Sequence, residues 1–130
     1  MIDFKIHEMK KLLPLLILLG SCEFRMSDED ASEELRDVAH IQFGDLMVKE
    51  RNMHFAFIDA NKSILLVFVH GSPGSWNAFI DYFAMDTLRN DFDMLSVDRA
   101  GFGLSGFGEA EPSMEIQANQ VKEVLDLFPD

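Results

Sequence analysis

The stretch Ile64-Leu65-Leu66-Val67-Phe68-Val69, followed at once by His70-Gly71-Ser72-Pro73-Gly74-Ser75-Trp76, decides how the chain is read. Six consecutive apolar residues, rich in β-branched and aromatic types, predict a strand buried on both faces, as in parallel sheets. Gly71 and Gly74 then give the chain the backbone freedom of a tight turn. Beyond the turn, Trp76, Phe79, Ile80, Phe83, Ala84 and Leu88 fall on one helical face, with Ser75 as the expected cap. A strand that passes through a glycine turn into a helix leaves N–H groups free at the C-terminal edge of a sheet, where negative charge can be held. Function is expected there.

On the N-terminal side of this strand, Leu46-Met47-Val48 and Met53 to Ile58 read as two strands joined by the turn Lys49-Glu50-Arg51-Asn52. In the second, Met53, Phe55 and Phe57 face one way and His54, Ala56 and Ile58 the other, the period of two of a strand. Asp59-Ala60-Asn61-Lys62 is a polar turn into the central strand. On the C-terminal side, Phe92 to Val97 is a further short strand. It ends in Asp98-Arg99-Ala100-Gly101-Phe102-Gly103-Leu104-Ser105-Gly106-Phe107-Gly108, where four glycines in eight residues mark an irregular loop. Ser113 caps a last helix with Val121, Val124, Leu125 and Phe128 as its apolar stripe, and Pro129 ends it. Hairpin, strand, helix, strand, helix is the order of an α/β sheet with parallel strands.

The composition excludes more than it identifies. A chain of 130 residues, 48% hydrophobic, suits one domain. A net charge of −12 excludes nucleic acid as a partner, because binding it requires a basic face. The single cysteine, Cys22, permits neither an internal disulfide nor a thiolate zinc site.

The N-terminus accounts for that cysteine. Met9-Lys10-Lys11 is a short basic start, and Leu12 to Leu19 is apolar except for Pro14, ahead of Gly20-Ser21-Cys22. Basic, then apolar, then small residues is the layout of a secretory signal, too short for the ~20 residues that span a bilayer. Leu19-Gly20-Ser21-Cys22 also resembles the lipobox of bacterial lipoproteins. That resemblance implies cleavage after residue 21, lipid attachment at Cys22, and a protein held by its lipid at the bacterial cell envelope, facing the periplasm or the surface. Ser27-Asp28-Glu29-Asp30-Ala31-Ser32-Glu33-Glu34 is too polar to bury and reads as part of a solvated acidic tether over residues 22–34.

Two motifs invite chemistry and fail on context. Gly101-Phe102-Gly103-Leu104-Ser105-Gly106 matches the dinucleotide fingerprint G-x-G-x-x-G, but Pro112 delays the helix that must follow directly, so no cofactor is expected. Ser105 lacks the second glycine of a G-x-S-x-G elbow, since Phe107 stands there, and is expected to satisfy its own loop. His40 and His54 have no local partners that suggest a metal site, and none is expected.

Together, His70-Gly71-Ser72-Pro73-Gly74 with Trp76, and Asp98-Arg99-Ala100-Gly101-Phe102-Gly103-Leu104-Ser105 some 28 residues later, resemble the α/β-hydrolase fold. Within it they are most similar to the esterase, epoxide hydrolase and haloalkane dehalogenase branch. The resemblance covers about Asp45 to Phe128, with Ala100 where that family most often has proline. It implies an α/β fold, the N-terminal portion of an α/β-hydrolase sheet (a β-hairpin, then β-α-β-α) within residues 35–130, ending before the nucleophile strand. It also implies that Ser72 lends its backbone N–H to an oxyanion hole. His70, Gly71, Gly74, Asp98, Arg99, Gly101 and Gly103 support the loops, and Trp76 either lines the substrate pocket or packs in the core. No G-x-S-x-G elbow, acid or base can be found, and members of the fold need roughly twice this length.

Two expectations follow from that gap. The chain is the N-terminal fragment of a membrane-anchored hydrolase of ester-like or related small molecules, its serine-type nucleophile lying elsewhere, so that substrate binds only once a C-terminal half completes the site. Alternatively it is a catalytically inert short lipoprotein that binds a partner polypeptide. In either case the Ile64–Val69 strand lacks the neighbour that the family's sheet order gives it. It becomes an apolar edge, which predicts a poorly soluble or partly molten isolated chain.

Overall fold

The computed structural model describes residues 26–128. The signal segment, Cys22 and Pro129 therefore lie outside the described residues. Four strands form one sheet: β1 (Ile41–Val48), β2 (Arg51–Ile58), β3 (Leu65–Val69) and β4 (Asp93–Val97), in the order β1-β2-β4-β3. β1 pairs antiparallel with β2 and β2 with β4, while β3 runs parallel to β4. The expected hairpin is present, but β1 starts at Ile41, five residues before the apolar run Leu46-Met47-Val48. Its turn is tight, with Lys49 in the left-handed region at φ 56.

Alternation along the strands sorts side chains onto two faces. On one face Met53, Leu95 and Val97 pack with Leu65, Val67 and the helix α4 (Met114–Leu125), through Val121, Val124, Leu125 and the following Phe128. Ser113 caps this helix by accepting from the Ile116 N–H at 3.3 Å, as its position predicts. On the other face Ala56, Ile58 and Met94 pack with Leu66 and Phe68 under Trp76, Ile80 and Phe83. The outcome is a sheet between two helical layers.

Three expectations are corrected. The Ile64–Val69 run is not buried on both faces. Among the described residues β3 pairs only with β4, so most of its residues are half-buried, and Ile64 and Val69 are 57% and 48% exposed. The segment after Ser75 is not one helix but a 3-10 turn (Trp76–Phe79), a short α2 (Ile80–Phe83) and a separate α3 (Asp86–Arg89). Ser75 does not cap it, because its hydroxyl bonds the Asn77 side chain instead and the Trp76 N–H is drawn to Asp98. Met85, in extended conformation, separates α2 from α3.

The third correction concerns the acidic segment read as a solvated tether. It forms the helix α1 (Asp28–Glu34), with the Ser27 hydroxyl accepting from the Asp30 N–H at 3.1 Å. Asp28, Glu29 and Asp30 sit in the first turn, where the helix dipole favours negative charge. Ala31 and Leu35, four residues apart, are 0% and 1% exposed and join the core beside Ala56 and Ile58. A spacing of four puts two apolar groups on one helical face, and that face docks on the sheet. Among the described residues no helix is long and apolar enough to cross a membrane.

Candidate functional site

The parallel pair β3 and β4 places the segments after Val69 and Val97 side by side at the C-terminal edge of the sheet. Asp98, the first residue beyond β4, is fully buried and organises both. Its Oδ1 accepts the Trp76 N–H at 2.6 Å and its Oδ2 the Leu104 N–H at 2.7 Å. Burial pushes this carboxyl above the usual carboxylate range, and the N–H groups of Leu104 and Trp76 pull it back. Gly103 is required for the second contact: at φ +50, a Cβ there would come 1.9 Å from Asp98 Oδ2.

Ser105 ties this loop to the neighbouring strand. Its buried hydroxyl accepts the His54 N–H and donates to the Asp98 carbonyl, both at 2.8 Å. The Asp98 N–H in turn donates to the His54 carbonyl at 2.9 Å. Ser105 satisfies the loop, as the sequence suggested, but does so by reaching 51 residues back to β2. It is no nucleophile, since both partners of its oxygen are backbone groups.

His70 is 3% exposed and both of its ring nitrogens are occupied. Nδ1 donates to the Gly71 carbonyl at 2.7 Å, and Nε2 accepts the Arg99 N–H at 3.1 Å. Those two partners define a neutral imidazole protonated at Nδ1. Burial lowers its pKa below the ordinary histidine value; the Gly71 hydrogen bond and Asp98 oppose that shift, and the Arg99 charge reinforces it. Gly74 lets the loop close over this ring, where a Cβ would come 2.9 Å from Nδ1.

Arg99 completes the assembly. Its Nη2 donates to the Gly71 carbonyl at 2.7 Å and its Nη1 to Gln117 Oε1 on α4 at 3.0 Å, while the guanidinium lies 4.6 Å over the Phe102 ring. The Gly71 carbonyl therefore accepts from two side chains at once. In a trans peptide the following N–H points opposite to the carbonyl. Clamping the Gly71 oxygen thus turns the Ser72 N–H away from Arg99. Ser72 is exposed, and no described residue accepts its N–H.

Trp76, weighed as either pocket wall or core, is 2% exposed and packs edge-on against Phe43 at 5.2 Å. Its carbonyl accepts the Ser96 hydroxyl at 3.0 Å. Gly101 holds φ +89 against Ala110, where a Cβ would clash at 2.1 Å. Of the site residues expected at this edge, His70, Gly71 and Arg99 are joined by hydrogen bonds, and Asp98 bonds the Trp76 and Leu104 N–H groups. Gly74 and Gly103 allow the close approaches, and the Trp76 side chain faces the core.

Sequence reasoning missed Gln117 and the surroundings of His54, whose ring meets Asp28 and Asp45 from distant positions. A glutamine on the sheet-facing side of α4 was the only signal for the first. No local pattern signalled the second. Among the described residues no serine hydroxyl bonds an imidazole, and no cluster of His, Cys, Asp and Glu is arranged to hold a metal. A hollow of about 320 Å³ lies at the opposite end of the sheet, between the starts of β3 and β4 and the end of α4, lined by Asp59, Lys62, Leu65, Asp93 and Phe128 among others. The Asp93 Oδ1 in it is already taken by the Ala60 and Lys62 N–H groups.

No protein-family model and no curated protein sequence matches the chain. Its structure does match solved ones. A haloalkane dehalogenase of Agrobacterium tumefaciens superposes with TM-score 0.56 at 24% identity, over 68% of this chain and 29% of the other. A thioesterase domain from the curacin biosynthetic pathway gives 0.56 at 16% identity, over 69% and 32%. A bacterial membrane phospholipase A gives 0.59 at 18% identity, over 94% of this chain and 40% of its own. The chain thus spans less than half the length of each of these three structures.

Proposed function

Starting from a chain that has the N-terminal part of an α/β-hydrolase fold, we propose that it supplies the charge-stabilising share of a hydrolase acting on ester-like or related small molecules. The nucleophile, its base and its acid then come from polypeptide outside this sequence. The observation that carries the reading is the double engagement of the Gly71 carbonyl by His70 and Arg99. Acyl transfer places negative charge on an oxygen, and an N–H already fixed toward that position stabilises it without reorganisation. Held from behind in this way, the Ser72 N–H suits that task. The side chain of Ser72 does not enter.

A second reading has its own support. β3 presents an apolar edge that no described residue pairs, the kind of surface to which a partner polypeptide adds a strand. In that role the chain is an inert binder. Both readings include attachment to the cell envelope through a lipid on Cys22, supported by Leu19-Gly20-Ser21-Cys22. Incorporation of labelled palmitate that is lost in Cys22→Ser tests the attachment.

A fluorophosphonate, which tags activated serines, separates the catalytic claims. The 130-residue protein is expected to remain unlabelled, and stoichiometric, heat-sensitive labelling overturns the assignment. The coding DNA past codon 130 is the second test. A strand followed by G-x-S-x-G in any frame supports the hydrolase reading, and its absence favours the binder. In a chain so completed, Ser72→Ala retains activity while Ser72→Pro, which removes the N–H, loses roughly 10²–10³-fold.

A further inference from the structure

Away from these loops, one imidazole stands between two carboxylates. His54, in the middle of β2, is 2% exposed. Its Nδ1 lies 3.3 Å from Asp45 Oδ1 on β1, and its Nε2 lies 3.3 Å from Asp28 Oδ1 in the first turn of α1. The ring stacks on Phe43, with centroids 6.1 Å apart and planes 14° from parallel. Asp45 Oδ1 also accepts from Asn52 Nδ2 at 2.7 Å. Asp28 Oδ1 and His54 Nε2 are buried atoms without a hydrogen-bond partner among the described residues. Among the described residues the charged groups around the ring, Asp28 from α1, Asp45 from β1 and Asp98 from beyond β4, are all acidic.

A neutral imidazole has one N–H and cannot donate to both carboxylates, whereas an imidazolium donates to both. We infer that His54 is a proton-operated latch between α1 and the sheet, fastened when the imidazolium bridges Asp28 and Asp45 and loosened when it gives its proton to water. In one neutral tautomer a lone pair faces Asp28; in the other a lone pair faces Asp45 and the attraction of the imidazolium charge for the Asp28 carboxylate is gone. Both outcomes weaken the hold on α1. At seven residues α1 is far below the length at which a helix is stable alone, so its docking depends on such contacts. Opening it would uncover Ala31 and Leu35. The backbone of His54 also carries the Ser105 and Asp98 hydrogen bonds, so the latch meets the candidate site's loop at a single residue.

Amide hydrogen exchange of the full 130-residue protein tests the latch, with peptides from α1 compared against β2 and β4 as internal reference. The exchange is followed at about pH 8 and at about pH 5, with the intrinsic rate corrected for, and the opening of α1 is read at each. The opening equilibrium is expected to shrink ~3- to 10-fold at the acid end, the range of a pair of partly exposed ion pairs. Asp28→Asn is expected to abolish most of that difference, and Asp45→Asn to retain the greater part of it. Equal α1 protection at both pH values overturns the inference, as does Asp28→Asn keeping the full difference. His54→Gln, where it folds, should show none, and where it does not, Asp28→Asn decides.

Discussion

β3 has two margins, built on opposite terms. At its C-terminal end, His70, Gly71, Asp98, Arg99 and Ser105 exchange hydrogen bonds so that nearly every polar atom named there has a partner. Along its outer edge the same strand offers an uncharged apolar run with Ile64 and Val69 largely exposed and no neighbour among the described residues. The difference teaches where each kind of order comes from. The loops hold themselves because most of their donors and acceptors find partners within the described residues. An edge can be completed only by another strand.

The largest effect expected at the loop margin is that of Asp98→Ala, which orphans the buried Trp76 N–H at about 1–3 kcal/mol and the part-buried Leu104 N–H at less. A urea midpoint unchanged by this substitution breaks the comparison. Gly103→Ala follows, because the added Cβ meets Asp98 in a left-handed backbone; a loss of about 3 kcal/mol is expected. Gly106→Ala sharpens the point. It has φ +79 with open space around the missing Cβ and should cost only about 1–2 kcal/mol. Equal losses at both glycines would mean that the Asp98 contact does not define the loop.

The edge responds in a different measurement. Val69→Lys should leave folding stability within about 0.5 kcal/mol yet reduce self-association at micromolar concentration, read by sedimentation velocity. A wild-type protein that sediments as a monomer and melts sharply contradicts the unfinished edge. The smallest effect concerns His70, whose pKa burial lowers in the fold. The unfolded chain takes up that proton near the ordinary value of about 6.5 and the folded one only at lower pH. Stability from this group is therefore complete above about pH 6.5 and falls as the pH drops toward the folded value. The difference between wild type and His70→Gln across that window isolates it from His54; a difference independent of pH excludes the neutral, doubly bonded imidazole.

Much of this was legible in the residues. The alternation of Met53 to Ile58 gave the two faces of β2, the Ser113 cap gave the start of α4, and the glycines at 101, 103, 106 and 108 marked a loop in which all four take positive φ. Each of these depends on a few neighbouring residues, and a local steric or periodic rule reads them. The helix after Ser75 was misread because its first N–H is claimed by Asp98, 22 residues later. The acidic segment was misread because its charge outweighed a single apolar pair, Ala31 and Leu35, that needed a sheet to dock on.

The sequence by itself determined the hairpin, the strand faces, the last helix and the two glycine loops, since periodicity and backbone sterics act over a few residues. Only the tertiary structure decided which donors hold the Gly71 carbonyl, where Ser105 reaches, and that Asp28, Asp45 and His54 face one another. Polar side chains choose partners by distance in space, and in burial the energy of an unmet hydrogen bond enforces that choice. No local pattern encodes it.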